Sequence, residues 1–180
     1  VFDIALEPGK PVYFTAATES LQREHARHAL DALWRAERDR RLADEERAQS
    51  LQGHLCREGE RFLCRTPSPA PAEAPSARPD AVVAGYHWFG AWGRDTLIAL
   101  PGLTFFAGRQ EAGEHILACM GAAVKGGLVP NVFSPDGEHA YNCVDASLWY
   151  VWAIQMLLKT APDRLDFVKT CCWPAIRAII

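Results

Sequence analysis

Three short segments in the second half of the chain bring together aromatic, cationic, carboxylate and amide side chains. They read HWFGAWGRD at residues 87–95, VPN at residues 129–131 and YNCVD at residues 141–145. Such mixtures point to a binding site for a polar ligand that also has apolar faces. The candidate binding residues are Trp88, Trp92, Arg94, Asp95, Asn131, Asn142 and Asp145.

Sugars fit this set of side chains for physical reasons. The C–H faces of a pyranose stack on aromatic rings, a carboxylate accepts protons from two hydroxyl groups, and arginine or asparagine donates to hydroxyl oxygens. The glycines of the first segment are expected to let the backbone approach such a ligand closely. A structural alternative stays open, in which Asp95 caps the following helix and Asp145 is the N-cap of a later one.

The elements that must position these segments are predicted to be apolar helices joined by short Gly- and Pro-containing loops. The first of these helices has apolar residues on nearly all sides, from Leu97 to Phe106. It is therefore expected to be buried, with a kink at Pro101. The predicted ranges are 96–107, 109–124 with Ile116, Leu117 and Met120 inward, 145–159, and 163–180 with an interruption at Pro174. Tyr141, Trp149 and Trp152 are assigned to the core rather than to the site.

The first 80 residues have a different character. Alternating apolar residues and a Pro-Gly-Lys-Pro turn predict two strands in residues 1–16. Residues 17–51 predict a mostly solvated helix or helix pair, and a shorter helix up to residue 65 is expected to bury Leu55, Phe62 and Leu63. Residues 66–80 are rich in proline and are expected to form an exposed loop. Both ends lack the usual stop signals, so we interpret the chain as a piece of a larger protein.

Composition excludes several classes of function. The 180 residues carry a formal net charge of −3, which gives no electrostatic reason to expect nucleic acid or an anionic membrane surface as a partner. The six cysteines show no metal-ligand spacing, so we expect reduced thiols in a cytoplasmic protein, with no metal and no cofactor. No apolar run is long enough to span a bilayer.

The order and spacing of four motifs carry a resemblance to a known family. These motifs are, in order, AGYHWFGAWGRDTLIALPGL, Gly108-Arg109, GLVPN and YNCVDASLWY. Through them the chain resembles the C-terminal domain of glycogen debranching enzymes, the amylo-α-1,6-glucosidase module. The resemblance implies a mainly α fold, the N-terminal part of an (α/α)6 toroid preceded by a short β piece from an upstream β-sandwich domain. The implied divisions are 1–16 for the sandwich end, 17–65 for linking helices and the first toroid helix, 66–80 for the loop and 81–180 for the partial toroid.

The same resemblance implies hydrolysis of the single α-1,6-linked glucose at a trimmed glycogen branch, by an inverting mechanism with two carboxylates. The motifs that hold the family's acid and base do not occur in this sequence, so no catalytic residue is assigned within it and both carboxylates are expected beyond residue 180. Asp95 and Arg94 are instead expected to bind the terminal glucose. The alternatives are another toroidal glucosidase, similar to glucoamylase or trehalase, and a helical domain that binds glycans without catalysis.

Overall fold

The computed structural model describes residues 28–39, 50–65, 80–86, 88–134 and 138–180. Outside the described residues lie the predicted strands in residues 1–16, the parts of the predicted solvated helix or helix pair at 17–27 and 40–49, the Pro-rich stretch at 66–79 and His87. The chain divides into two units, residues 1–54 and 55–180. In the first, residues 28–39 form helix α1, and its Leu33 and Trp34 are 66% and 53% exposed, which confirms a solvated helix there.

Helix α2 (Leu51–Glu60) is followed by a small antiparallel sheet that the sequence did not predict. Its strands are β1 (Leu63–Cys64), β2 (Ala81–Gly85) and β3 (Phe89–Ala91), in the order β1-β2-β3. Leu63 lies opposite Val82, and Val83 lies opposite Ala91. The expected helix therefore ends at Glu60, five residues early.

The predicted burial of this helix is wrong at two positions. Leu55 is 64% exposed, and Phe62 lies beyond the helix end with 38% of its surface exposed. Gly59 is the buried residue of the helix, and a Cβ at that position would lie only 2.8 Å from a methyl carbon of Leu103. The helix thus packs through its backbone at Gly59 and not through the large apolar side chains.

Helix α3 (Gly93–Leu100) packs against β2. The buried hydroxyl of Thr96 fixes this contact, because its Oγ1 accepts from Val82 N at 3.1 Å and donates to Val82 O at 3.3 Å. At Pro101, the residue that lacks an N–H, the α-helical pattern changes to a π-helical turn, Pro101–Phe105, and the kink expected there stays a prediction. The predicted burial on all sides is wrong, since Ile98 is 43% and Phe106 56% exposed.

Helices α4 (Gln110–Ala122) and α5 (Asp145–Thr160) contribute eight of the 19 buried hydrophobic residues in the described core. Ile116, Leu117 and Met120 are buried as predicted. Tyr150 of α5 is also fully buried, and its hydroxyl donates to Leu117 O at 3.1 Å. Burial raises the pKa of Tyr150, with a smaller contribution from the neighbouring Cys172, so this hydroxyl stays protonated.

The chain ends in a 3-10 turn (Pro162–Arg164), a short α6 (Leu165–Phe167), a π-helical turn (Val168–Cys172) and α7 (Trp173–Ile179). The predicted interruption is present, but it precedes Pro174, which lies in the first turn of α7, where a missing N–H costs nothing. The described residues are mainly helical, which confirms the predicted class. None of the helices described here has the length and apolar character needed to cross a membrane.

Candidate functional site

Two isolated β-bridges bring the three candidate segments together. Trp92 pairs with Val132, and Val132 pairs with Ala140, both in antiparallel fashion. Next to these bridges, Gly93 N donates to Asn131 O at 2.8 Å, and Asn131 N donates to Ala140 O at 2.8 Å. Residue 131 is therefore held on both sides by backbone hydrogen bonds, directly beside the first residue of α3.

Arg94 and Asp145, 51 positions apart in the sequence, form a bidentate ion pair in this region. Arg94 Nε lies 2.9 Å from Asp145 Oδ2, and Nη2 lies 2.9 Å from Oδ1. The hydrogen bond from Arg94 is the main cause that lowers the pKa of Asp145 below its ordinary value, and that bond likewise raises the pKa of Arg94. Because the side chains remain 45% and 41% exposed, a polar ligand can still reach them.

The hypothesis that Asp145 is a helix N-cap is wrong. The N-cap of α5 is Val144, and Asp145 is the first helical residue. Its carboxylate is directed to Arg94, although its charge still lies where the helix dipole favours an anion. The carboxylate therefore contacts Arg94, another of the candidate residues.

A buried thiol joins this ion pair. Cys143 is 8% exposed, and its Sγ accepts a hydrogen bond from Arg94 Nη2 at 3.0 Å while the S–H donates to Asp145 Oδ1. Sequence reasoning grouped Cys143 with the other free cysteines. Its place inside the YNCVD segment, two residues before Asp145, was the signal that could have identified it.

Asn131 and Asn142 form an amide pair. Asn131 Nδ2 donates to Asn142 Oδ1 at 3.2 Å, and Asn131 is only 6% exposed whereas Asn142 is exposed. Asn131 Oδ1 is buried and has no hydrogen-bond partner in the described part of the protein. A buried acceptor without a donor is costly, so this oxygen favours the presence of a ligand or water donor.

Asp95 is the third residue of α3, and its side chain is exposed. Among the described residues its carboxylate has no hydrogen bond or ion pair. The N-cap of α3 is Trp92, with extended backbone and no capping side-chain bond, so Asp95 supports the helix only through the dipole. The carboxylate is left available to an external donor.

The aromatic candidates differ in their surroundings. Trp88 is 80% exposed, whereas Trp92 is half-buried and meets Phe89 edge to face, with ring centroids 6.0 Å apart. Trp149 and Trp152 contact each other at 5.2 Å and pack against the core, as predicted. Among the described residues of the first segment, Trp88 and Phe89 are thus exposed and Trp92 is half-buried.

Ser147, which sequence reasoning missed, anchors the loop that carries Asn131. Its buried Oγ accepts from Val129 N at 3.0 Å and donates to Gly127 O at 3.1 Å. Gly127 itself has a positive φ of 80°, which favours glycine. One hydroxyl on α5 therefore fixes the loop through both a donor and an acceptor.

Replacing Ser147 by alanine is expected to lower the free energy of unfolding by about 2 kcal/mol, because the buried Val129 N–H and the half-buried Gly127 carbonyl lose their partner. A urea titration of the complete protein, in which loss of this unit is followed by tryptophan fluorescence, measures the change. Ser147→Thr, which keeps the hydroxyl, is the matched control. Equal stability of the alanine variant and the wild type would contradict this role.

Comparison with known proteins adds an independent observation. The family model described as amylo-alpha-1,6-glucosidase matches residues 56–180. The glycogen debranching enzyme of Saccharomyces cerevisiae is 38% identical over 73 residues, which is 40% of this chain and 5% of the yeast protein. The matched part of the chain thus spans only about 5% of the length of that relative. No solved structure matches the chain.

Proposed function

We propose, from the premise that the chain belongs to the amylo-α-1,6-glucosidase family, that it forms part of the glucosidase domain of a glycogen debranching enzyme. In this proposal the domain is an (α/α)6 toroid. It hydrolyses the single α-1,6-linked glucose that remains at a trimmed branch of glycogen or a related α-glucan. Four side chains from three segments supply the hydrogen bonds to that glucose, and Trp88 or Trp92 forms a wall.

The observation that carries the proposal is the presence of complementary unused hydrogen-bonding groups in one cluster of segments. The carboxylate of Asp95 and the buried Oδ1 of Asn131 are acceptors without a donor among the described residues. Arg94 uses Nε and Nη2 for Asp145 and Cys143, so its Nη1 remains a donor. Vicinal hydroxyl groups, each a donor and an acceptor, match this arrangement.

The roles follow from the charges. Asp95 accepts protons from two outer hydroxyl groups of the glucose, and Arg94, held in place by Asp145, donates to the hydroxyl oxygens. Asn131 and Asn142 add amide contacts from the neighbouring loop. The ion pair with Arg94 lowers the pKa of Asp145, so this carboxylate stays ionised and has no proton to donate as a general acid. Its role in the proposal is to orient the guanidinium.

The reaction itself needs two further carboxyl groups, which we place in a part of the complete protein other than residues 1–180. In an inverting glycosidase one carboxylic acid protonates the leaving oxygen and the other activates water on the opposite face, with about 6.5–9.5 Å between them. The residues of this chain would bind and orient the sugar between these groups. The hydrogen bonds from these binding residues then contribute most to catalysis when they strengthen as the sugar ring flattens in the transition state.

The test is the stereochemistry and linkage of the product released by the complete protein. A maltooligosaccharide with one α-1,6-linked glucose is the substrate, and proton NMR identifies the anomer that forms first. We expect β-glucose from the branched substrate only. Linear maltooligosaccharides and trehalose are the controls, because their hydrolysis would favour a glucoamylase-like or trehalase-like enzyme. Binding without release of glucose would favour a glycan-binding domain.

A further inference from the structure

We propose that Cys143 is a positioning residue, whose buried thiol holds the Arg94–Asp145 pair in the orientation that binds the sugar. The inference rests on the proposed function, since it states what keeps that site in order. It is based on a three-membered contact, in which the thiol accepts from the guanidinium at 3.0 Å and donates to the carboxylate.

An exposed ion pair alone is a poor anchor. The side chains of Arg94 and Asp145 are 45% and 41% exposed, so solvent and salt weaken their attraction and each can adopt other rotamers. Cys143 belongs to the buried hydrophobic core and is only 8% exposed. Its short side chain has one rotatable bond before the sulfur, so it fixes one carboxylate oxygen and one guanidinium nitrogen from a rigid point.

The surroundings of Cys143 hold the thiol in place. Two residues earlier, Tyr141 donates its hydroxyl to Ala123 O at 2.9 Å. On the other side, Ser147 N donates to Val144 O at 3.2 Å as α5 begins. These two hydrogen bonds flank residues 142–143 and restrict the backbone there. The position of the Cys143 thiol is therefore restricted as well.

A simple core role makes a different prediction about substitutions. If Cys143 only fills space, alanine or valine should be tolerated, and serine should be worst because it adds a polar group to the core. If the thiol positions the ion pair, serine should be best, because its hydroxyl also donates and accepts. The order of the variants therefore separates the two roles.

The experiment measures kcat/KM against pH for Cys143→Ala and Cys143→Ser in the complete protein, on the singly α-1,6-branched oligosaccharide. We expect kcat/KM to fall about tenfold in the alanine variant and to be largely retained in the serine variant. Cys172→Ala, at another buried cysteine, is the matched control, and its kcat/KM should remain that of the wild type.

The pH dependence gives a second readout. The groups that face Asp145 are Arg94 from α3, Cys143 from the preceding segment and the first backbone N–H of α5. Arg94 and the thiol both lower the pKa of Asp145, and protonation of that carboxyl removes the charge that holds Arg94. Loss of the thiol raises this pKa, so activity in Cys143→Ala should decline at a higher pH on the acid side.

A double-mutant cycle separates this inference from the proposed function. In an Arg94→Ala background, Cys143→Ala should have little further effect on kcat/KM, because the thiol and the carboxylate both act by holding the guanidinium. If Asp145→Asn alone leaves kcat/KM unchanged, the proposed sugar site is wrong. The inference is then decided by iodoacetamide labelling of Cys143, quantified by peptide mass spectrometry.

Labelling of Cys143 should become faster in Arg94→Ala and in Asp145→Asn, whereas labelling of Cys172 should not change. Both substituted side chains are partly exposed, so these variants keep the core intact. Unchanged labelling of Cys143 in both variants, or a fall in kcat/KM that is equal for Cys143→Ser and Cys143→Ala, would overturn the inference.

Discussion

Asp95→Asn in the complete protein is expected to lower kcat/KM for a singly α-1,6-branched oligosaccharide by roughly tenfold to several hundredfold. Asparagine keeps the size of the side chain but replaces one acceptor oxygen by a donor. In the wild type this carboxylate is exposed and has no partner among the described residues, so its acceptor capacity is available to a ligand. A hydroxyl group that donates to Asp95 would face a donor in the variant.

The stability of the same variant separates binding from a structural role. Asp95 lies in the first turn of α3, where an anion stabilises the helix by about 1 kcal/mol or less. Thermal melts should therefore differ by little. Glu111→Gln removes an equivalent first-turn charge from α4 and should leave kcat/KM unchanged. A lowered melting temperature with full kcat/KM for Asp95→Asn would show that this carboxylate serves only the helix.

The long helices of the second unit could be predicted from the sequence because their signal is local. Ranges of 109–124 and 145–159 were predicted, and the helices cover Gln110–Ala122 and Asp145–Thr160. Apolar residues at three- and four-residue spacing determine both the helix and its buried face. Full burial of the stretch after Thr96 was a wrong conclusion, because an apolar side chain such as Ile98 can remain exposed when its neighbours cover only part of the helix.

The small sheet could not be predicted because its pairing is not local. Leu63–Cys64 contains two residues, and its partner strand begins at Ala81. So short a strand has no periodicity to read, and its stability comes from the hydrogen bonds and contacts of residues far along the chain. Thr96, whose hydroxyl joins the helix to this sheet, has no distinguishing pattern around it either.

For the candidate site, residue types were informative and pairings were not. The segments that carry Arg94, Asn131 and Asp145 could be selected because their chemistry suits a sugar. The ion pair between Arg94 and Asp145 depends on bridges around Val132, which sequence spacing does not reveal. The sequence places Cys143 two residues before Asp145, but its contacts with both partners of the ion pair are visible only in the structure.

Gly93 shows how closely the site depends on the backbone. The glycines of its segment were expected to let the backbone approach a ligand, but Gly93 instead approaches the chain itself. A Cβ at this position would lie 1.9 Å from Pro130 O, and the backbone N–H donates to Asn131 O at 2.8 Å. Any side chain there must push residues 130–131 away and break the contact that aligns α3 with the loop.

Gly93→Ala is therefore expected to lower the free energy of unfolding by about 3 kcal/mol, the upper part of the range for overpacking, since the obstructing atom belongs to the backbone and cannot rotate away. The displacement also moves Asn131 from Arg94, so kcat/KM should fall even where the variant is fully folded. Gly90→Ala is the matched control, because a Cβ at Gly90 meets nothing within 4 Å. Urea titration and kcat/KM at low temperature, measured on both variants, test the two effects. If Gly93→Ala behaved like Gly90→Ala, the close approach of α3 to residues 130–131 would not hold in the complete protein, and the cluster built on it would have to be abandoned.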